Sequence, residues 1–128
     1  MWRSKVLKHI FRFHGMWESL KFALLGIYYL FLYHRNMRII FMLGLLAVLL
    51  GLYLKLKGIE LVALCLTITL VFTAEIFNTA IETLMNMLTT RYNARIKLVK
   101  DIAAAVVLLT CLNALAVGTI LFYKKLFK

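Results

Sequence analysis

The sequence predicts an all-α integral membrane protein, with three transmembrane helices preceded by an N-terminal amphipathic helix on the membrane surface. Three observations carry this expectation. Hydrophobic residues fill 64% of the 128 positions, there is no proline, and the mean hydropathy is +0.91, whereas soluble domains sit near half apolar. The 16 Lys and Arg outnumber the 5 Asp and Glu, a formal charge of +11. In a polar chain that balance would point to nucleic acid, but in a mostly apolar one it points to the anionic cytoplasmic surface of a bilayer. Finally, at about 20 residues per spanning helix the length holds three spans and one surface helix, with no room for a soluble domain.

Residues 2–21 place Val6, Ile10, Phe13, Trp17 and Leu20 at helical spacing, with Lys5, Lys8 and Arg12 on another face, the pattern of an interfacial amphipathic helix. No uninterrupted apolar core or small-residue cleavage site follows closely, so a removable signal peptide is not expected. Phe22–Tyr33 is too short to span, and its tyrosines suit the headgroup level. Residues 1–33 are therefore expected as an interfacial segment and 34–128 as the spanning domain.

Within that domain, Ile39–Leu54 carries no charge and forms the first span, about 24 Å long at 1.5 Å per residue. A Gly58 turn leads to the second span, Leu61–Leu88, interrupted by Glu75, Asn78, Glu82 and Asn86. A basic cytoplasmic loop, 89–101, precedes the third span, Ile102–Tyr123. Cys65 and Cys111 fall inside apolar runs and are expected as buried free thiols. With the N-terminus inside, eleven cations are cytoplasmic and five (Lys55, Lys57, Lys124, Lys125, Lys128) are outside. The positive-inside rule favours that orientation.

Two of the five acids, Glu75 and Glu82, sit inside a span, where a carboxylate costs at least ~2.5–3.5 kcal/mol on insertion scales. At 100° per residue, Asn78, Glu82 and Asn86 lie about 60°, 20° and 20° from Glu75, so the four make one polar stripe. Such a stripe can hold a divalent cation through oxygen ligands or take a proton from a hydroxyl; the plainer alternative is that it hydrogen-bonds neighbouring helices. Arg91, Arg95, Lys97 and Lys100 stand where the stripe reaches the cytoplasmic surface. They serve either as topogenic charge or as phosphate donors. Asp101 either caps the third span or joins Lys100 at a nucleotide.

The stretch Ala74-Glu75-Ile76-Phe77-Asn78-Thr79-Ala80-Ile81-Glu82, followed by Lys100-Asp101-Ile102-Ala103-Ala104-Ala105-Val106, resembles the signature of the small prokaryotic diacylglycerol kinase family, which includes undecaprenol kinase. Gly26-Ile27-Tyr28-Tyr29-Leu30-Phe31 and Arg35-Asn36-Met37-Arg38 resemble its surface-helix region, particularly in the undecaprenol kinase branch. The resemblance covers nearly the whole chain from about Ser19 onward. It implies a homotrimer in the bacterial inner membrane that uses ATP and Mg²⁺ to phosphorylate a lipid hydroxyl at the cytoplasmic face; a soluble nucleic-acid binder is excluded separately, by the apolar runs. It further implies Glu75 as general base, Asn78 orienting the reacting groups and Glu82 as a metal ligand. Lys100 and Asp101 fall at the nucleotide, with Asn86 and Lys97 beside them.

Two positions depart from the family pattern. His34 stands where a metal-binding Glu is usual, and Asn86 where an Asp is usual. Imidazole is a poor magnesium ligand and an amide a neutral one, so His34 is also readable as an interfacial residue at a helix end. These departures leave two alternatives to the kinase: another lipid-phosphate enzyme on the same scaffold, such as a phosphatase, or a non-catalytic membrane assembly protein.

Overall fold

A computed structural model describes residues 15–127, and every described regular element is an α-helix: α1 (Met16–Tyr33), α2 (Arg35–Tyr53), α3 (Ile59–Leu88) and α4 (Ala94–Leu126). The last three are long and apolar enough to cross a membrane. The chain divides between His34 and Arg35 into two compact units.

The first unit contains α1. Glu18 lies in its first turn, where a carboxylate suits the positive end of the helix dipole. The helix ends at His34, whose extended backbone (φ −119°, ψ 108°) still donates its N–H to the Leu30 carbonyl. The helix runs without a break through residue 22, where the sequence divides an amphipathic from an interfacial segment. Exposed apolar side chains project in every direction from it, Trp17, Phe22, Leu25 and Ile27 among them, and Glu18 and Lys21 are its only charges. The basic face expected over 2–21 rests on Lys5, Lys8 and Arg12, which lie outside the described residues.

In the second unit, α2 begins at Arg35 rather than Ile39, because Arg35, Asn36 and Arg38 are compatible with the first turn of a helix and Met37 buries itself. Its 19 residues reach about 28 Å, which removes the shortness of the expected first span. At its other end the chain closes in a Schellman arrangement: Leu56 N–H donates to Gly51 O at 2.9 Å and Lys55 N–H to Leu52 O at 3.1 Å. Lys55 takes the left-handed conformation, φ 62°, that this cap requires. Leu56, 2% exposed, folds back against Gly51 and Leu64. Gly58 then enters α3 at φ 59°.

α3 and α4 form the main antiparallel pair, and α2 packs on α3. Phe41 meets Phe72 edge-on, and Gly44 brings the α2 backbone close to Ile68. Both ends of the α3–α4 pair carry a polar tie. At one end Lys100 Nζ donates to Asn86 Oδ1 at 2.6 Å, and at the other Lys125 Nζ lies 3.5 Å from Glu60 Oε2. The 26 residues from Glu60 to Asn86 rise about 39 Å, somewhat more than a 30 Å hydrocarbon core. Thr67, Thr69, Thr73 and Thr83 return their hydroxyls to carbonyls four residues back, satisfying donors that lipid cannot.

The expected loop 89–101 is corrected here, since α4 begins at Ala94. Asn93 caps it, its Oδ1 accepting from Arg95 N–H at 2.9 Å and Ile96 N–H at 3.3 Å. Asp101 therefore lies two turns inside the helix and caps nothing. At the far end α4 runs past Tyr123 to Leu126, with Lys124 and Lys125 in the last turn, where cations suit the free carbonyls. Cys65 is exposed and Cys111 half-buried, so the expectation of two buried thiols fails for Cys65, which falls on the outward side of α3. Cys111 borders an apolar groove of about 460 Å³ between α2, α3 and α4, where Gly44, Ala47 and Gly118 leave room.

Candidate active site

The interior face of α3 is set by spacing: Leu64, Thr67, Ala74, Glu75 and Thr79 are its buried residues. Up to Glu75 this face is uncharged, Thr67 being its one polar side chain among the buried residues, and Glu75 itself is only 7% exposed. One turn on, Asn78 is half-buried, and further along the same stripe Glu82 and Asn86 are exposed. The stripe thus runs about 16 Å, from a buried carboxylate to an exposed amide near the C-terminal end of α3.

Of the residues expected at the site, the structure gathers five. Glu75, Asn78, Glu82 and Asn86 share one side of α3, and α4 delivers Lys100 to its end through the Asn86 hydrogen bond. Lys97 and Asp101 are not gathered with them. They lie about 60° and 100° around α4 from Lys100 and pair with each other at 2.7 Å, side chains 60% and 59% exposed, as ordinary i,i+4 partners on a wet surface. His34 belongs to the first unit, where its ring meets Tyr29 edge-on at 6.0 Å between centroids.

Arg35 and Arg38 at the start of α2, and Arg91 and Arg95 around the start of α4, occupy the same end of the second unit as Glu82 and Asn86, because the helices alternate in direction. That end is basic around an acidic stripe. Phosphate-bearing ligands suit such a surface, since Lys acts as a point charge and Arg as a fork.

No group of three or more His, Cys, Asp or Glu side chains capable of holding a metal occurs among the described residues. Glu82 offers an exposed carboxylate with Glu75 two turns away, while the Asn86 oxygen is engaged by Lys100. This donor set fits a magnesium ion that arrives with a nucleotide, because Mg²⁺ commonly binds through one or two carboxylates plus substrate phosphates.

Two further polar residues escaped the sequence analysis, one at the site and one at the far end of the helix pair. Thr79 is buried one turn from Glu75 on the same face, a position readable from its i+4 spacing. Glu60 has a buried Oε2 without a hydrogen bond, answered by Lys125 across the helix pair. Its signal was an acid at the first turn of a span whose partner span ends in lysines.

Three membrane-length helices with a carboxylate and amide stripe opening at a basic surface define a small polytopic membrane protein whose polar site lies at one end of its helix bundle. The chain belongs to the prokaryotic diacylglycerol kinase family, whose sequence pattern matches residues 21–122. It is also 35% identical over 101 residues to a protein named diacylglycerol kinase from Synechocystis sp.. That match covers 78% of this chain and spans 58% of the length of the relative.

Proposed function

We propose that this protein is an ATP-dependent lipid kinase that transfers the γ-phosphoryl group to the hydroxyl of diacylglycerol or undecaprenol at the cytoplasmic face of the bacterial inner membrane. The observation that carries this reading is the α3 stripe, running from buried Glu75 to Glu82 and Asn86, with Lys100 held at its open end. Family membership supports the same activity.

In this reading the Glu75 carboxylate accepts the proton of the lipid hydroxyl as its oxygen forms a bond to the γ-phosphorus, and ADP leaves with the electron pair of the broken P–O bond. Asn78 orients the reacting groups from its half-buried position. Glu82 would hold Mg²⁺ jointly with the nucleotide, and the bound ion supplies charge neutralisation on the phosphates. Lys100 donates to a phosphoryl oxygen, and Lys97 and Asp101 flank the nucleotide. Phosphoryl transfer asks mainly for positioning and charge neutralisation, which these few residues can provide without a soluble kinase domain.

Residues 1–33 act as the interfacial segment and 34–128 as the spanning domain, N-terminus inside. The working unit is a homotrimer. Exposed Val62, Leu66, Thr69, Thr73, Ile76 and Ala80 recur at spacings of three and four along α3. Small and hydroxyl side chains in such a seam are what helix contacts in a bilayer use, which supports assembly through this face.

The test is transfer of labelled phosphate from ATP to a panel of lipids by the purified protein, with and without Mg²⁺. Mg²⁺-dependent labelling of a lipid alcohol supports the kinase. Absence of labelling across the panel overturns it in favour of the phosphatase or assembly alternative.

A further inference from the structure

We propose that Asn86 is a positioning residue that holds the Lys100 ammonium for a phosphoryl oxygen, and not a ligand of the metal ion. This rests on the kinase reading for its consequence, though not for its geometry. The two residues are 14 apart in sequence, on different helices, and meet at 2.6 Å between Nζ and Oδ1. Asn86 lies one turn beyond Glu82 on the same stripe, so the bond places the lysine head beside the acidic end of the site.

The chemistry of the pair decides its role. A magnesium ion sits about 2.1 Å from an oxygen ligand, so one bound to Asn86 Oδ1 would lie within about 4.7 Å of the Lys100 nitrogen. That juxtaposition sets a divalent and a monovalent cation against each other on one neutral oxygen. An amide oxygen already occupied by an ammonium is therefore a poor place for the ion. It is a good place to fix a lysine, whose flexible stem leaves its charge unpositioned unless something holds it. An ammonium has three N–H donors, and Asn86 uses one.

Neutrality is the second part of the inference. An aspartate at this position would form an ion pair with Lys100 and cancel much of the charge that a phosphate needs. The amide orients the lysine and leaves its full positive charge. The substitution that removes an acid from this end of the stripe thus leaves the cation available for nucleotide capture.

The experiment uses full-length protein in mixed micelles, with ATP titrated at fixed lipid. Asn86→Leu is expected to raise KM for ATP about tenfold while leaving kcat within about twofold, as loss of a charge-assisted hydrogen bond acting on binding should. Asn86→Gln, which keeps the acceptor, recovers most of the loss. Asn86→Asp also raises KM, and its excess over wild type shrinks as KCl is added, because an ion pair at an exposed end is screened. A change in kcat with KM intact would overturn the assignment.

A second readout does not depend on turnover. Acylation of individual lysines by an amine-reactive ester, read by mass spectrometry, should accelerate severalfold at Lys100 in Asn86→Leu and stay constant at Lys97. Equal rates at Lys100 in both proteins would show that Asn86 does not hold it. If wild type labels no lipid, the kinase reading fails by itself, and the acylation comparison still decides whether the lysine is held.

Discussion

Gly51 and Leu56 close the turn between α2 and α3, and their packing allows a prediction whose sign depends on the background. A Cβ added at Gly51 would lie 3.0 Å from both Leu56 Cδ1 and Leu64 Cδ2, where carbon atoms prefer about 3.5–4.0 Å. Neither leucine has room to retreat, since they are 2% and 3% exposed, and Leu56 is tied to the same glycine by its N–H. Overpacking of this kind costs about 1–3 kcal/mol, against a gain of about 1 kcal/mol for alanine over glycine in a helix. Gly51→Ala alone should therefore destabilise by about 1 kcal/mol. Leu56→Ala should cost about 2–3 kcal/mol by emptying a buried site at the water interface. In the Leu56→Ala background one of the two close contacts is gone and the void gives Leu64 room to shift from the other, so Gly51→Ala should become close to neutral, a coupling of about 1 kcal/mol. Reversible unfolding of the four proteins by SDS in mixed micelles measures it. An identical effect of Gly51→Ala in both backgrounds would refute the packing argument.

Lys55→Gly should stabilise the same turn by about 0.5–1 kcal/mol, because glycine relieves the left-handed strain at φ 62° while losing more chain entropy on folding; SDS unfolding with no gain would contradict the cap. His34→Glu should lower the Mg²⁺ concentration needed for half-maximal lipid phosphorylation if this position faces the metal, as the family pattern implies, and an unchanged titration would remove His34 from the site. Single cysteines replacing Lys57 and Arg91, in a protein lacking Cys65 and Cys111, should react with an impermeant reagent from opposite membrane faces, Lys57→Cys from outside. Reaction of both from one side would refute the three-span topology.

The spans were legible because their signal is compositional: long apolar runs survive any detail of packing. Their ends were less so, for local reasons. α4 absorbs Ala94–Asp101 since Asn93 supplies a side-chain cap that charge counting does not register. α2 gains a turn at Arg35 because Arg35, Met37 and Arg38 are good helix formers and nothing there breaks the chain. At the site, Glu75, Asn78, Glu82 and Asn86 were readable as one stripe from the 100° helical period alone. Lys100 beside Asn86 required the register of two helices, which no local pattern encodes. The same limit hid Glu60 with Lys125.

The most direct test of the α3 stripe as the seat of phosphoryl transfer is Glu75→Gln, compared with wild type in single-turnover lipid phosphorylation with ATP binding followed in parallel. The amide keeps the shape of the side chain but cannot take the hydroxyl proton, so turnover should fall by at least about 10²-fold. ATP affinity should be unchanged. Turnover within a few-fold of wild type in the folded variant would contradict the assignment of Glu75 as the base.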